Sequence, residues 1–116
     1  QDAPPIRLFR NLTIEVYARL VANCSCILGN SSSAIREGSF LGAPAVNIGS
    51  RQQGRECAGN VLHVDHNADS IVDAVQRQIE HGRYPSSKLY GDGTAGEKIA
   101  EILAVTTIDI QKKLAY

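Results

Sequence analysis

Apolar residues in this chain fall into short runs that alternate between two spacings. Leu12, Val16, Leu20 and Val21 recur at helical period within residues 12–22, which predicts an amphipathic helix capped by Asn11 or Thr13. Cys26-Ile27-Leu28, Ala45-Val46-Asn47-Ile48 and Val61-Leu62-His63-Val64 are instead brief, nearly continuous apolar runs, the pattern of strands covered on both faces. Between the first two runs, Gly29-Asn30-Ser31-Ser32-Ser33 leads into a predicted helix that carries Ala34 to Glu37, and Phe40-Leu41-Gly42-Ala43-Pro44 closes a turn. Residues 67–69 open a further helix with Ile71, Val72, Val75 and Ile79 on one stripe and Gly82 as its stop. Residues 83–93 read as irregular and 94–103 as a helix. Residues 6–9 are a short strand candidate, residues 108–114 a short final helix, and Pro4 and Pro5 keep the start extended.

Strands alternating with helices at short spacing predict βαβ units: an α/β fold with a Rossmann-like parallel sheet and flanking helices. Only about four strands are available, fewer than a complete doubly wound domain usually holds. The pattern also begins abruptly, so the 116 residues are expected to be a fragment of a larger protein. An apolar sheet edge left open in this way would be covered by a second copy, and a homo-oligomer is expected.

Charge adds little steering. Twelve basic and twelve acidic residues balance, so no field favours nucleic acid or an acidic membrane surface, and neither partner is expected. No apolar run approaches the roughly 20 residues needed to span a bilayer. Cys24, Cys26 and Cys57 are an odd count, and the first two lie too close together to staple a fold. Reduced, mostly buried thiols and a cytoplasmic setting follow. These cysteines with His63 lack the paired spacing of a zinc site, so no metal or other cofactor is expected.

The candidate chemistry lies where strands end. A helix opening on Asn30 and three serines offers unpaired backbone N–H groups, hydroxyls and the positive end of a dipole, which together suit a diphosphate. Glu37, about one and a half turns further in, is placed to accept hydrogen bonds from a hydroxylated neighbour such as a ribose. Helix capping alone accounts for Asn30 and Ser31. The next strand end tips the balance, because Gly49-Ser50-Arg51-Gln52-Gln53-Gly54-Arg55-Glu56 is a polar, glycine-bracketed loop with two arginines. In a parallel sheet both loops leave the same edge, where ligands bind.

Other sharp-looking signals dissolve on inspection. Gly91-Asp92-Gly93-Thr94-Ala95-Gly96 matches the dinucleotide fingerprint, but no strand precedes it, and a turn starting a helix explains it better. The sequons at Asn11 and Asn30 carry no weight without a secretory signal. His63, alternating with apolar neighbours, reads as structural. His66 is a weak site candidate from its place after a strand, and His81 suits a helix C-terminus.

Residues 29–37, joined to Asn47-Ile48 and the Arg51-Gln52-Gln53-Gly54-Arg55 loop, resemble the hydrolysing UDP-N-acetylglucosamine 2-epimerases. Asn60 to Val64, Tyr84-Pro85 and Tyr90-Gly91-Asp92-Gly93 extend the resemblance over about residues 12–103. Ala34 stands where many relatives have glycine, a neutral change inside a helix. The resemblance implies a two-domain glycosyltransferase-B-type fold, of which residues 1–116 would be the nucleotide-binding C-terminal part without the N-terminal half. It implies an enzyme that eliminates UDP from the nucleotide-sugar and hydrates the resulting glycal to release N-acetylmannosamine, as in sialic acid biosynthesis. Ser31, Ser32 and Arg51 would hold the diphosphate and Glu37 the ribose. The catalytic groups would lie outside this chain, which alone would be inactive. A glycosyltransferase of the same fold and a non-catalytic nucleotide-binding module remain alternatives at this point.

Overall fold

The computed structural model describes residues 5–109. Helix α1 (Ile14–Asn23) starts where Thr13 Oγ1 accepts the Val16 N–H at 3.3 Å, one of the two caps expected. Strands β1 (Ile27–Gly29), β2 (Ala45–Ile48) and β3 (Val61–Val64) form a parallel sheet in the order β1-β2-β3, with Leu28 opposite Val46 and Val46 opposite Leu62. Each crossover therefore steps to the adjacent strand in one direction, and all three strands end on one edge.

Two sequence expectations need correction. Residues 6–9 are not a strand; with no neighbouring strand to pair them, Ile6, Leu8 and Phe9 stay exposed. The helix expected from the serines is broken into a 3-10 turn (Ser32–Ala34) and a five-residue helix α2 (Glu37–Leu41). Helix-neutral serines give weak propensity, and the Ser31 side chain accepts the Ser33 N–H at 3.3 Å, competing locally with helical bonding. Glu37 thus opens α2 rather than sitting deep in a longer helix.

Beyond β3, helix α3 (Ala68–His81) is capped by Asn67, whose Oδ1 accepts the Ser70 N–H at 2.9 Å, and it stops at Gly82. Ala74 and Gln78 are its buried positions; Ile71 and Val75 are half-buried, while Val72 and Ile79 of the expected stripe face solvent. Helix α4 (Ala95–Val105) follows the irregular stretch and buries none of its residues. Residues 106–109 are not helical, and the rest of the final helix expected over 108–114 lies outside the described residues.

The core is small. Ala34, Ile35, Ala45 and Val61 pack together, flanked by Ile27 and Cys57. Buried amides finish the end of the sheet away from the candidate site. Gln78 Nε2 donates to the Ala45 and Asn60 carbonyls at 2.7 and 2.9 Å, and its Oε1 accepts from the Tyr84 hydroxyl at 2.6 Å. Asn60 Nδ2 donates to the Ala34 and Ala43 carbonyls at 3.1 and 2.9 Å. These bonds give buried backbone carbonyls side-chain partners, the Asn60 carbonyl also accepting the Ala45 N–H at 2.9 Å. The cysteines are free and half-buried, less covered than expected. Burial still pushes the thiols of Cys26 and Cys57 up, with Cys24 adding to the first and Arg55 partly offsetting the second, so neither is an activated nucleophile.

Candidate functional site

Two loops meet at the C-terminal edge of the sheet. The first leaves β1 through Gly29 and carries Asn30 and the three serines. The second leaves β2 through Gly49, whose φ of +80° turns the chain sharply under the His66 ring. A Cβ at Gly49 would lie 2.5 Å from His66 Cε1, so the close approach and the backbone angle both require glycine. The loop then tightens into a turn, with Gln53 N–H bonded to the Ser50 carbonyl at 2.9 Å and Arg55 N–H to that of Gln52 at 3.2 Å.

The arginine loop reaches across to the serine loop at one residue. Arg51 Nη1 donates to Asn30 Oδ1 at 3.3 Å, and Gln52 Nε2 donates to the Asn30 backbone carbonyl at 2.9 Å. Arg51 is thereby tied to Asn30, the residue that precedes Ser31 and Ser32. Ser31 and Arg51 are exposed, Ser32 is half-buried, and the Ser32 hydroxyl bonds to nothing else among the described residues. Because the helix is broken here, little macrodipole backs this turn, and the cationic part of the site falls to Arg51.

Glu37 lies apart from this pair. It lines a cavity of about 510 Å³ with Tyr17, Arg36, Phe40, Ser87 and Tyr90, while Arg51 does not. The serine turn connects the two regions, because Tyr17 Oη and Ser33 Oγ share a hydrogen bond of 2.6 Å. Tyr90 is fixed by its hydroxyl, which donates to the Glu56 carbonyl. Sequence reasoning gave Tyr17 and Tyr90 no role; Tyr17 was hidden as a polar interruption of the α1 pattern, and only the fold places residues 87–93 over α2.

A third region, of about 380 Å³, lies beside the arginine loop and is lined by Ser50, Gln52, Arg55, His63 and Asp65 among others. His63 Nδ1 is 3.1 Å from Asn47 Nδ2, which is also 3.4 Å from the Gly49 carbonyl. Asn47 thus links the β3 histidine to the start of the arginine loop. His63 is therefore held structurally on its inner side while its ring edges this region. Among the described residues no group of three or more His, Cys, Asp or Glu is placed to hold a metal, and no helix is long and apolar enough to cross a membrane.

Sheet order and edge loops define a Rossmann-like α/β unit with a polar edge where the strands end. Residues 1–104 match the family model described as UDP-N-acetylglucosamine 2-epimerase, and the chain belongs to that family. It is 33% identical over 110 residues to a UDP-N,N'-diacetylbacillosamine 2-epimerase (hydrolyzing) of Legionella pneumophila, covering 95% of this chain and 29% of that protein. It is 29% identical over 98 residues to a UDP-N-acetylglucosamine 2-epimerase of Neisseria meningitidis, covering 82% of this chain and 26% of the relative. A GDP/UDP-N,N'-diacetylbacillosamine 2-epimerase (hydrolyzing) of Campylobacter jejuni is 39% identical over 61 residues, 53% of this chain and 16% of that protein. The chain thus spans less than a third of the length of these relatives.

Proposed function

We propose that this chain is the UDP-holding part of a hydrolysing UDP-N-acetylglucosamine 2-epimerase. In this reading the whole enzyme eliminates UDP from the nucleotide-sugar, adds water to the glycal and releases the C2-inverted N-acetyl sugar. Elimination needs a base for the C2 proton and a stabiliser for the departing diphosphate. This chain supplies the second. Arg51 and the Ser31 and Ser32 turn receive the diphosphate, and Glu37 accepts from the ribose hydroxyls in the neighbouring cavity. The proton-transfer groups belong to the remainder of the enzyme.

The observation that supports the reading is the junction at Asn30, where Arg51 of one strand-end loop meets the residue that opens the serine turn of the other. Capping needs no arginine there, whereas a bound anion does. Family membership favours an epimerase over a glycosyltransferase or a non-catalytic module. The test is calorimetric titration of UDP into the full-length enzyme, with a product assay on UDP-N-acetylglucosamine. Arg51→Ala should weaken UDP by roughly 1.5–3 kcal/mol, the span for hydrogen bonds to charged groups. Unchanged affinity would remove the diphosphate role, and a transferred rather than released sugar would remove the epimerase.

A further inference from the structure

We infer that Gln52 is a positioning residue that sets Arg51 against Asn30 at the head of the serine turn, an inference that rests on the diphosphate role proposed for Arg51. Gln52 is 6% exposed, although its neighbours Arg51, Gln53, Gly54 and Arg55 are all exposed. A glutamine buried at the centre of a surface turn calls for a reason. Its Nε2 spans from the β2 loop to the β1 loop and donates to the Asn30 carbonyl at 2.9 Å, while Arg51 Nη1 takes Asn30 Oδ1 at 3.3 Å. Two consecutive residues of one loop thus hold the two oxygens of a single residue of the other.

The two bonds differ in kind. The Arg51 contact is long and exposed, so it is readily exchanged for a phosphate oxygen. The Gln52 contact is shorter, partly buried and made to backbone, so it stays when a ligand arrives. Asn30 Oδ1 serves as the resting acceptor for a guanidinium whose loop Gln52 has already placed. The amide carries a stability cost on one side. Its Oε1 is buried with no hydrogen-bond partner among the described residues, and a desolvated acceptor without a donor is unfavourable compared with an apolar side chain of the same shape. What the glutamine provides is preorganisation of Arg51.

Gln52→Met keeps the side-chain length and removes both polar atoms. In the full-length enzyme it should weaken UDP about tenfold, the loss of one charge-linked contact. It should leave uridine affinity unchanged and should not lower the thermal unfolding midpoint. Added to Arg51→Ala, it should cause no further loss, because the residue it positions is gone. Wild-type UDP affinity in Gln52→Met would overturn the inference. So would lost folding, a lowered midpoint with a parallel loss of uridine, or a full additional loss in the double variant, since each marks a merely structural glutamine. If Arg51→Ala itself leaves UDP affinity unchanged, the diphosphate reading fails and this inference falls with it; a loss there with none in Gln52→Met defeats the inference alone.

Discussion

In the proposed reading, Ser31, Arg51 and Glu37 make separable demands on a ligand. Ser31 uses its hydroxyl to cap its own turn, accepting the Ser33 N–H, so it has a structural role beside the anion contact proposed for it. Ser31→Ala should therefore cost less UDP affinity than Arg51→Ala while lowering stability by up to about 1 kcal/mol, the usual worth of such a cap. Thermal unfolding and titration of the same variant read the two effects separately. Glu37 lines a cavity that Arg51 does not reach. Glu37→Gln should accordingly weaken UDP yet leave inorganic pyrophosphate unchanged; equal losses for both ligands would place Glu37 at the phosphates instead.

Among the elements, the segment between α3 and α4 does more than connect. Arg83 donates to the Val21 and Cys24 carbonyls at 3.2 and 3.0 Å and to that of Leu41, tying the C-terminal ends of α1 and α2 together. Tyr84 N–H bonds to the Gly42 carbonyl at 2.9 Å, so the same segment lies directly on the α2 cap. Gly42 has φ +68°, and a Cβ there would collide with the Tyr84 carbonyl oxygen. Gly42→Ala should destabilise by about 2 kcal/mol or more, combining left-handed strain with backbone overlap; chemical denaturation measures it, and a loss below half that would mean the segment simply shifts. At the start of α4, Asp92 accepts the Thr94 hydroxyl and N–H and faces Lys98 at 3.8 Å. The hydroxyl bond first, then the N–H, hold its carboxyl below the ordinary range. A depressed folded value means this turn ahead of α4 is stabilised above the unfolded carboxylate range and loses that contribution as pH falls through the folded one. Hydrogen exchange of residues 95–98 should therefore quicken in acid, and in Asp92→Ala the protection should be lower already at neutral pH.

At the scale of the molecule, apolar surface is left uncovered on several sides. Val16, Leu20 and Leu28 are 45%, 49% and 52% exposed beside the outer edge of β1, which pairs with no other strand among the described residues. Ile99, Ile102, Leu103 and Val105 of α4 are each more than half exposed. An unpaired edge strand beside apolar side chains favours association. The 116-residue chain alone should self-associate, and light scattering across a concentration series should show mass rising above that of one copy. A monomer at the highest concentration would count against it.

Local signals carried the elements whose cause is local. Asn67 and Gly82 bracket α3 because capping chemistry is written in adjacent residues, and β2 and β3 keep the boundaries of their short apolar runs, β2 buried over most of its length and β3 only in part. The parallel order followed from alternation alone. Family kinship was legible because the Arg51 to Arg55 loop and the serine block are contiguous in the chain. Tertiary structure decided the rest. Whether the serines would continue a helix depended on a competition between Ser31 and the backbone that propensity does not resolve, and it moved Glu37 to the start of α2. Residues 6–9 needed a pairing partner that composition cannot supply. Gln52 looked like one more polar residue of a surface loop; its burial, and its grip on Asn30 from 22 positions away, exist only once β1 and β2 lie side by side. A hydrogen bond between distant residues is a property of their meeting, and no spacing along the chain encodes it.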